Sequence, residues 1–287
     1  MTCYNPLGAF RTSAGEIIFS DRADVVGELQ LPCGRCVGCR MRRAADWTLR
    51  VMHEASMWDK NCFVTLTYAR DCEPPNRSLE HRDFQLFMKR LRFSRCGEEV
   101  RFFMCGEYGP LNQRPHYHAC LFNVDFPDKK FFGTSGSGEA FDTSKELEDL
   151  WGHGHVSVQL LVAATAGYCA RYIMSKRLGK DAQTFYGDRK PEYAAMSLKP
   201  GIGANWYLKF GNSDVYRHDF VVADGVKFRP PKYYDKLQMR KDGFDVISEE
   251  RERRASEIPS SEKVYDRLRV REIVHEAKIS TLKRSME

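Results

Sequence analysis

His116-Tyr117-His118 is the triplet in this chain best suited to hold an ion. It opens a run of β-branched, aromatic and small residues, HYHACLF. In a strand, residues i and i+2 project to one face. The spacing therefore presents two imidazoles side by side and sends Tyr117 inward. Two imidazoles need a third anchor to hold a divalent ion with positions left open. Glu107 stands nine residues before His116, at the end of the preceding expected strand. Its carboxylate meets the imidazoles if the two strands pair as a hairpin. Two histidines and a carboxylate suit Mn²⁺, Mg²⁺ or a similar cation that leaves room for substrate oxygen. The competing reading is a pair of satisfied histidines at a sheet edge. His153-Gly154-His155 repeats the spacing in a glycine-flanked turn, WGHGHV, which gives its side chains no fixed common face. It is the weaker candidate.

Tyr168, Tyr172 and Lys176 recur every four residues and share one face of an expected helix. As nucleophiles, the phenols face the handicap of an unperturbed pKa near 10. A metal polarising a scissile phosphate removes much of it, and the Lys176 ammonium would stabilise a phenolate or a leaving oxygen. The plainer reading is an aromatic stripe packed on a sheet.

Cys33, Cys36 and Cys39 place three thiols in one tight loop, and Cys3 would complete a four-sulfur set. Structural zinc suits such a set. An iron–sulfur cluster and free thiols are the alternatives; Arg43 stands where a ferredoxin-type run would carry its close fourth cysteine. The remaining cysteines read as core or incidental residues.

These groups need elements to position them. Apolar residues at spacings of three and four predict helices over residues 40–58, 81–93 and 163–176, with a short capped helix over 144–151. β-Branched and aromatic runs predict strands over 61–68, 100–105, 116–122 and 157–161. Residues 1–39 read as irregular, GTSGSG (133–138) as a flexible loop, and the chain from about Ile247 as an exposed, charge-dense helical tail. The expected organisation is a cysteine element (1–39), a core (40–180), an accessory segment packed on it (181–246) and the tail (247–287). The element order favours an α+β fold, its sheet antiparallel and covered by helices on one face.

Composition narrows the classes. Hydrophobic residues are 42% and charged residues 29% of the 287, enough for a core and a soluble surface. Global disorder and collagen-like repetition are excluded, and no stretch approaches the ~18 uninterrupted apolar residues of a membrane span. No signal peptide is expected at the N-terminus, and ten cysteines in a chain of this length read as reduced thiols of a cytoplasmic protein. Net charge is +6, and the cations cluster. Arg40, Arg42 and Arg43 lie in one cluster, Lys89 and Arg90 in a second, Arg171 and Arg177 in a third. Such clusters are the footprint of a phosphate backbone, set against the plainer reading of solvated helix faces.

FVTLTY, RPHYHACLF and YCARYIMSK, in that order, resemble the three motifs of rolling-circle replication initiators of the HUH endonuclease superfamily. MTCYNP, PCGRCVGCR, RDFQLFMKRLR, RFFMCGEYG and KPGIGANWY extend the likeness to the initiators of gokushovirus-type microviruses. The resemblance implies a ferredoxin- or RRM-like antiparallel sheet with flanking helices. His116, His118 and Glu107 would be metal ligands, Tyr168 and Tyr172 the two active tyrosines, and Lys176 the lysine that follows them. It further implies nicking and joining of single-stranded DNA at a viral origin, a Mg²⁺ or Mn²⁺ cofactor, host helicase and polymerase as partners, and action in the bacterial cytoplasm. A non-catalytic zinc-containing nucleic-acid-binding protein and another HUH enzyme, a relaxase or transposase, are the alternatives.

Overall fold

A computed structural model describes residues 3–21, 24–109, 112–134, 138–172, 180–241 and 244–281. The chain divides into two units. The segment up to Arg43 groups with the C-terminal helices, and Ala44–Lys241 form the other unit.

The first unit carries an antiparallel sheet of β1 (Leu7–Thr12), β2 (Ile17–Ile18) and β3 (Val25–Leu31), in the order β2-β1-β3. The expectation of irregular structure here is corrected. VVGELQL alternates in burial as an amphipathic strand does, but its glycine and the short turns around it mask the pattern. Helix α1 (Val37–Ala55) begins directly after the first cysteines of the cluster.

The second unit is built on a seven-stranded antiparallel sheet. Its members are β4 (Asn61–Tyr68), β5 (Arg101–Tyr108), β6 (Pro115–Phe122), β7 (Lys130–Thr134), β8 (Ala140–Thr143), β9 (Gly154–Leu160) and β10 (Tyr193–Met196). They lie in the order β10-β5-β6-β4-β9-β8-β7. Helices α2 (His81–Ser94), α3 (Lys145–Trp151), α4 (Ala163–Tyr172) and α5 (Lys180–Tyr186) connect them. The succession β4-α2-β5-β6-α3-β9 is a β-α-β-β-α-β unit, with β4 and β6 at its centre.

Helices cover both faces of this sheet, not one. Phe84, Phe87, Met88 and Leu91 of α2, and Leu147 and Trp151 of α3, pack with Val64, Leu66, Tyr117, Ala119 and Leu121 on one side. On the other, Val51 and Ala55 of α1 and Ala166, Tyr168 and Cys169 of α4 pack with Phe63, Phe103, Cys120 and Phe122. The reason lies in the central strands. β4, β5 and β6 are apolar on both sides and so must be buried on both. The hairpin β7–β8 brackets the segment read as a flexible loop, and β10 extends the sheet from within residues 181–246.

The rest of this unit is α6 (Ala204–Phe210), the hairpin β11 (Val221–Ala223) with β12 (Val226–Phe228), and α7 (Lys232–Gln238). In the first unit, α8 (Phe244–Ser256) and α9 (Tyr265–Thr281) occupy the stretch read as a tail. They are not detached from the N-terminal strands. The Tyr4 hydroxyl is 2.9 Å from His275 Nδ1, and Arg11 pairs with Glu252 at 3.3 Å.

A buried ion pair ties three parts of the second unit together. Arg101 of β5 donates to Glu54 of α1 at 2.6 Å and to the Pro200 carbonyl at 2.7 Å. The other oxygen of Glu54 accepts from the Gly203 backbone at 2.7 Å. Both side chains are almost wholly buried. Glu54→Ala leaves a buried guanidinium without its counter-charge, which costs about 3–5 kcal/mol. Urea denaturation is the measurement, and a loss below about 1 kcal/mol would show that water or another residue replaces the carboxylate.

Candidate metal and nucleophile site

Strand register builds the site. Glu107 pairs with His116 and Cys105 with His118 across β5–β6; Thr67 pairs with His116 and Thr65 with His118 across β4–β6. Directly paired residues share a face. β5 continues through Gly106 to Tyr108, beyond the end expected from sequence, and so carries Glu107 inside the ladder. Tyr117, between the histidines, is fully buried on the opposite face, where its hydroxyl donates to the Glu80 carbonyl at 2.8 Å.

Glu107 Oε1 lies 2.8 Å from Nε2 of both His116 and His118. His116 Nδ1 donates to the Arg114 carbonyl at 3.0 Å, so Nε2 of the neutral ring carries a lone pair. His118 Nδ1 is 2.9 Å from the Thr65 hydroxyl, an outer contact that orients a ligating histidine. Burial lowers the His118 pKa, with Glu107 opposing, so at neutral pH this imidazole is uncharged. Burial works to raise the Glu107 carboxyl, but His118 foremost, and then His116, hold it below the ordinary carboxylate range. The groups at this point are thus electron-pair donors aimed at one another. Glu107 is 2% exposed, and its Oε2 is buried with no hydrogen-bond partner among the described residues. Such an atom in a native site calls for an explanation. A divalent cation answers both features, and the donor set of two nitrogens and a carboxylate fits one with open positions.

Tyr168 reaches the same point from α4. Its hydroxyl donates to Glu107 Oε1 at 3.2 Å, and its ring stands edge-on to His118 at 4.8 Å. The start of α4 is pinned by Thr165, whose hydroxyl accepts from the Val162 backbone at 2.9 Å and lies within donating distance of the Leu160 and Val162 carbonyls. Phe63 packs edge-on against the tyrosine ring. Tyr172 is the last described residue of α4, one turn beyond Tyr168. Lys176 and Arg177 lie outside the described residues.

The second His-x-His is split between faces. His155 pairs with Thr67 across β4–β9 and so falls in one row with Glu107 and His116, exposed. His153 packs instead beside Trp151 at 4.9 Å and Tyr68 at 5.8 Å, on the opposite face. Gly154 between them has φ +140, and a Cβ there would sit 2.2 Å from the Ala69 nitrogen. The expected strand began only at Ser157, which left His155 out of the sheet; β9 begins at Gly154.

Cys3, Cys33, Cys36 and Cys39 bring their sulfurs together within 4.8 Å. Cys3 and Cys36 sulfurs are 4.0 Å apart, twice a disulfide bond and close to the edge of about 3.8 Å that a tetrahedral ZnS₄ centre implies. Backbone N–H groups point at the sulfurs: Cys33 at Cys3 (3.2 Å), Tyr4 at Cys36 (3.3 Å) and Cys36 at Cys33 (3.3 Å). Burial opposes ionisation of Cys33, but the N–H groups of Cys36 and Arg35 and the neighbouring thiols outweigh it and bring the thiol down to about 7. Burial pushes Cys39 up to about 12. One easily ionised thiol among reluctant neighbours is a set that a soft cation would complete.

Among the basic candidates, Arg40 and Arg43 are exposed on α1 and Arg42 is half-buried. Arg171 is exposed on α4, three residues past Tyr168. Lys89 is exposed on α2, which packs on the sheet face opposite Glu107. Arg90 is committed to the fold: it donates to the Leu150 and Trp151 carbonyls at 2.6 and 2.8 Å, closing the end of α3. A periodic reading of α2 marks Arg90 as cationic but does not reveal that partner.

Residues 61–177 match the family model of the replication-associated protein ORF2. Along its length the chain is 32% identical over 243 residues to the replication-associated protein VP4 of Bdellovibrio phage phiMH2K, covering 82% of this chain and 76% of that protein. It is 32% identical over 283 residues to the replication-associated protein ORF2 of Spiroplasma virus 4, covering 88% and 86%. For the replication-associated protein ORF4 of Chlamydia phage 1 the figures are 26% over 230 residues, 77% and 55%. No solved structure matches the chain. The chain belongs to this family of phage replication-associated proteins. No helix among the described residues is long and apolar enough to cross a membrane.

Two outcomes are expected. Glu107→Gln removes the only carboxylate of the Glu/His/His set and should weaken Mn²⁺ binding, read by titration calorimetry, at least tenfold; unchanged affinity would place the ion elsewhere. The four-sulfur set should retain about one zinc per chain through purification, measured by elemental analysis, and Cys33→Ser should lower both that content and the melting temperature.

Proposed function

We propose that this protein initiates rolling-circle replication of a circular single-stranded DNA phage genome by nicking and rejoining the viral origin. The observation that carries the reading is the Tyr168 hydroxyl donating to the carboxylate that both imidazoles also approach. The order β9-β4-β6-β5 within the β-α-β-β-α-β unit supports a ferredoxin- or RRM-like core of the HUH type.

Glu107, His116 and His118 would hold Mg²⁺ or Mn²⁺, which when bound supplies Lewis-acid polarisation of the scissile phosphate. Glu107 orients the Tyr168 hydroxyl and accepts its proton as the oxygen attacks phosphorus. The new bond joins the tyrosine oxygen to phosphorus, and the P–O3′ bond breaks. The released 3′ oxygen takes up a proton and becomes the primer for a host polymerase. The strand's 5′ end stays on the tyrosine as a phosphodiester, so rejoining needs no ATP. Tyr172 serves as the second nucleophile, cutting the regenerated origin while the first tyrosine holds the old end, and Lys176 stabilises the phenolate or the leaving oxygen. Thr65 keeps His118 in its ligating orientation. The Cys3, Cys33, Cys36 and Cys39 set holds a structural zinc. Arg40, Arg42, Arg43 and Arg171 engage the DNA backbone, with a host helicase opening the duplex in the bacterial cytoplasm.

The test is a denaturing gel of the protein incubated with Mn²⁺ and labelled single-stranded origin DNA. A covalent adduct is expected. Tyr168→Phe with Tyr172→Phe should abolish it, and His116→Ala should reduce it more than a hundredfold with little effect on DNA binding. His153→Ala should leave it largely intact. A double tyrosine variant that still forms the adduct would overturn the nucleophile assignment.

A further inference from the structure

Beside the Glu/His/His set, a cavity of about 390 Å³ is lined by Arg70, Glu73, Arg77, Asn112 and Arg114. It lies at the end of the sheet where Glu107 and His116 sit. The segment that follows β4 supplies Arg70, Glu73 and Arg77, and the β5–β6 connection supplies Asn112 and Arg114. The link to the site is direct, because the Arg114 carbonyl accepts from His116 Nδ1. Arg114 precedes His116 by two residues, or about 7 Å along an extended chain.

The charges are arranged for an anion. Three guanidiniums face one carboxylate, an excess of two positive charges. Glu73 does not cancel them so much as set their position: it accepts from Arg77 Nε at 2.8 Å and lies 3.3 Å from Arg114 Nε. The Arg77 Nη2 atom also donates to the Asn112 carbonyl at 2.8 Å. Arg114 Nε is buried, and despite its approach to Glu73 it is not aligned to donate to any partner among the described residues. Arg70 has no hydrogen-bond or ion-pair partner among them. The backbone is held in uncommon conformations around the cavity, with φ +56 at Asn76, +53 at Arg77 and +50 at Gln113. Left-handed backbone at such residues carries a cost that persists where surrounding structure enforces it, often at ligand clamps.

We propose that this cavity binds a phosphate group of the single-stranded DNA strand beside the scissile one, holding the strand in register with Tyr168. This rests on the reading above that the protein acts on DNA. A guanidinium fork matches phosphate oxygens in two-point contact, and a second fixed phosphate would keep the strand from sliding across the sheet end. Inorganic phosphate shares that chemistry, so the test separates the two sources.

The probe is a short fluorescent thymidine oligonucleotide, with binding to the full chain read by anisotropy over a range of salt. Arg70→Gln with Arg77→Gln should weaken binding roughly tenfold and lower the slope of log K against log salt by about 0.7, the share of one neutralised phosphate on a single strand. Arg70→Gln alone changes only an exposed side chain, and it should show a smaller loss in the same direction with an unchanged melting temperature. His116→Ala should keep the affinity. Inorganic phosphate that protects the native protein from unfolding, but not the double variant, while oligonucleotide affinity is the same in both, would reassign the cavity to a free phosphate and overturn the proposal. Equal affinity and equal salt slope in native and variant proteins would also overturn it. An adduct that still forms with such unchanged affinity would leave the nicking reading standing. Loss of affinity in the variants without any adduct in the native protein would sink the nicking reading and keep the clamp.

Discussion

Three electron-pair donors pointed at one another are unstable alone. Glu107 Oε1 approaches two imidazole nitrogens at 2.8 Å each, and a carbonyl already takes the other N–H of one ring. Protons or a metal ion must sit between them, and burial of His118 disfavours the protonated answer. The β5–β6 register imposes the convergence and cannot relax it by small steps, since a slip of one residue sends the whole set to the opposite face. The fold therefore fixes where positive charge must go before any DNA arrives.

Much of the second unit follows from holding that register against a helix. α4 must bring a phenol to the same oxygen, so its first turn is locked by Thr165 and its inner face is packed against Phe63, Cys105 and Cys120. α1 covers the same side of the sheet, and the Glu54–Arg101 pair ties it to β5, the strand that carries Glu107. A carboxylate on β5 and a hydroxyl on α4 thus keep their separation through packing distributed over several elements.

What could be read from sequence was chemistry that is local along the chain. His116 and His118 announce a shared face by their spacing, and Glu107 follows once a hairpin is assumed. The tyrosine helix and the capped α3 carry periodic patterns of their own, with Ser144 accepting from the Leu147 backbone as a helix cap does. What escaped was set by partners distant in sequence. The second layer of helices is hidden because a strand apolar on both sides looks the same whatever covers it. His155 joins the site face only because Gly154 can adopt a backbone closed to other residues. Arg90 reads as a surface cation until α3 lays two carbonyls against it. The N-terminal strands escaped because short, glycine-broken alternation resembles a loop.

The two clusters of donors pose one electrostatic problem in two chemical forms. Four sulfurs close around a point and leave no place for a substrate, so a cation there can only hold the loop from Cys33 to Cys39 against Cys3. Two nitrogens and one carboxylate leave coordination positions open, and a phenol stands beside them. Sulfur selects soft ions, whereas the nitrogen and oxygen set accepts harder ones that exchange their remaining ligands readily. An ion suited to one cluster is therefore poorly suited to the other. That difference lets one chain keep a permanent structural ion and still present a labile one to phosphate, because ligand type separates the two roles.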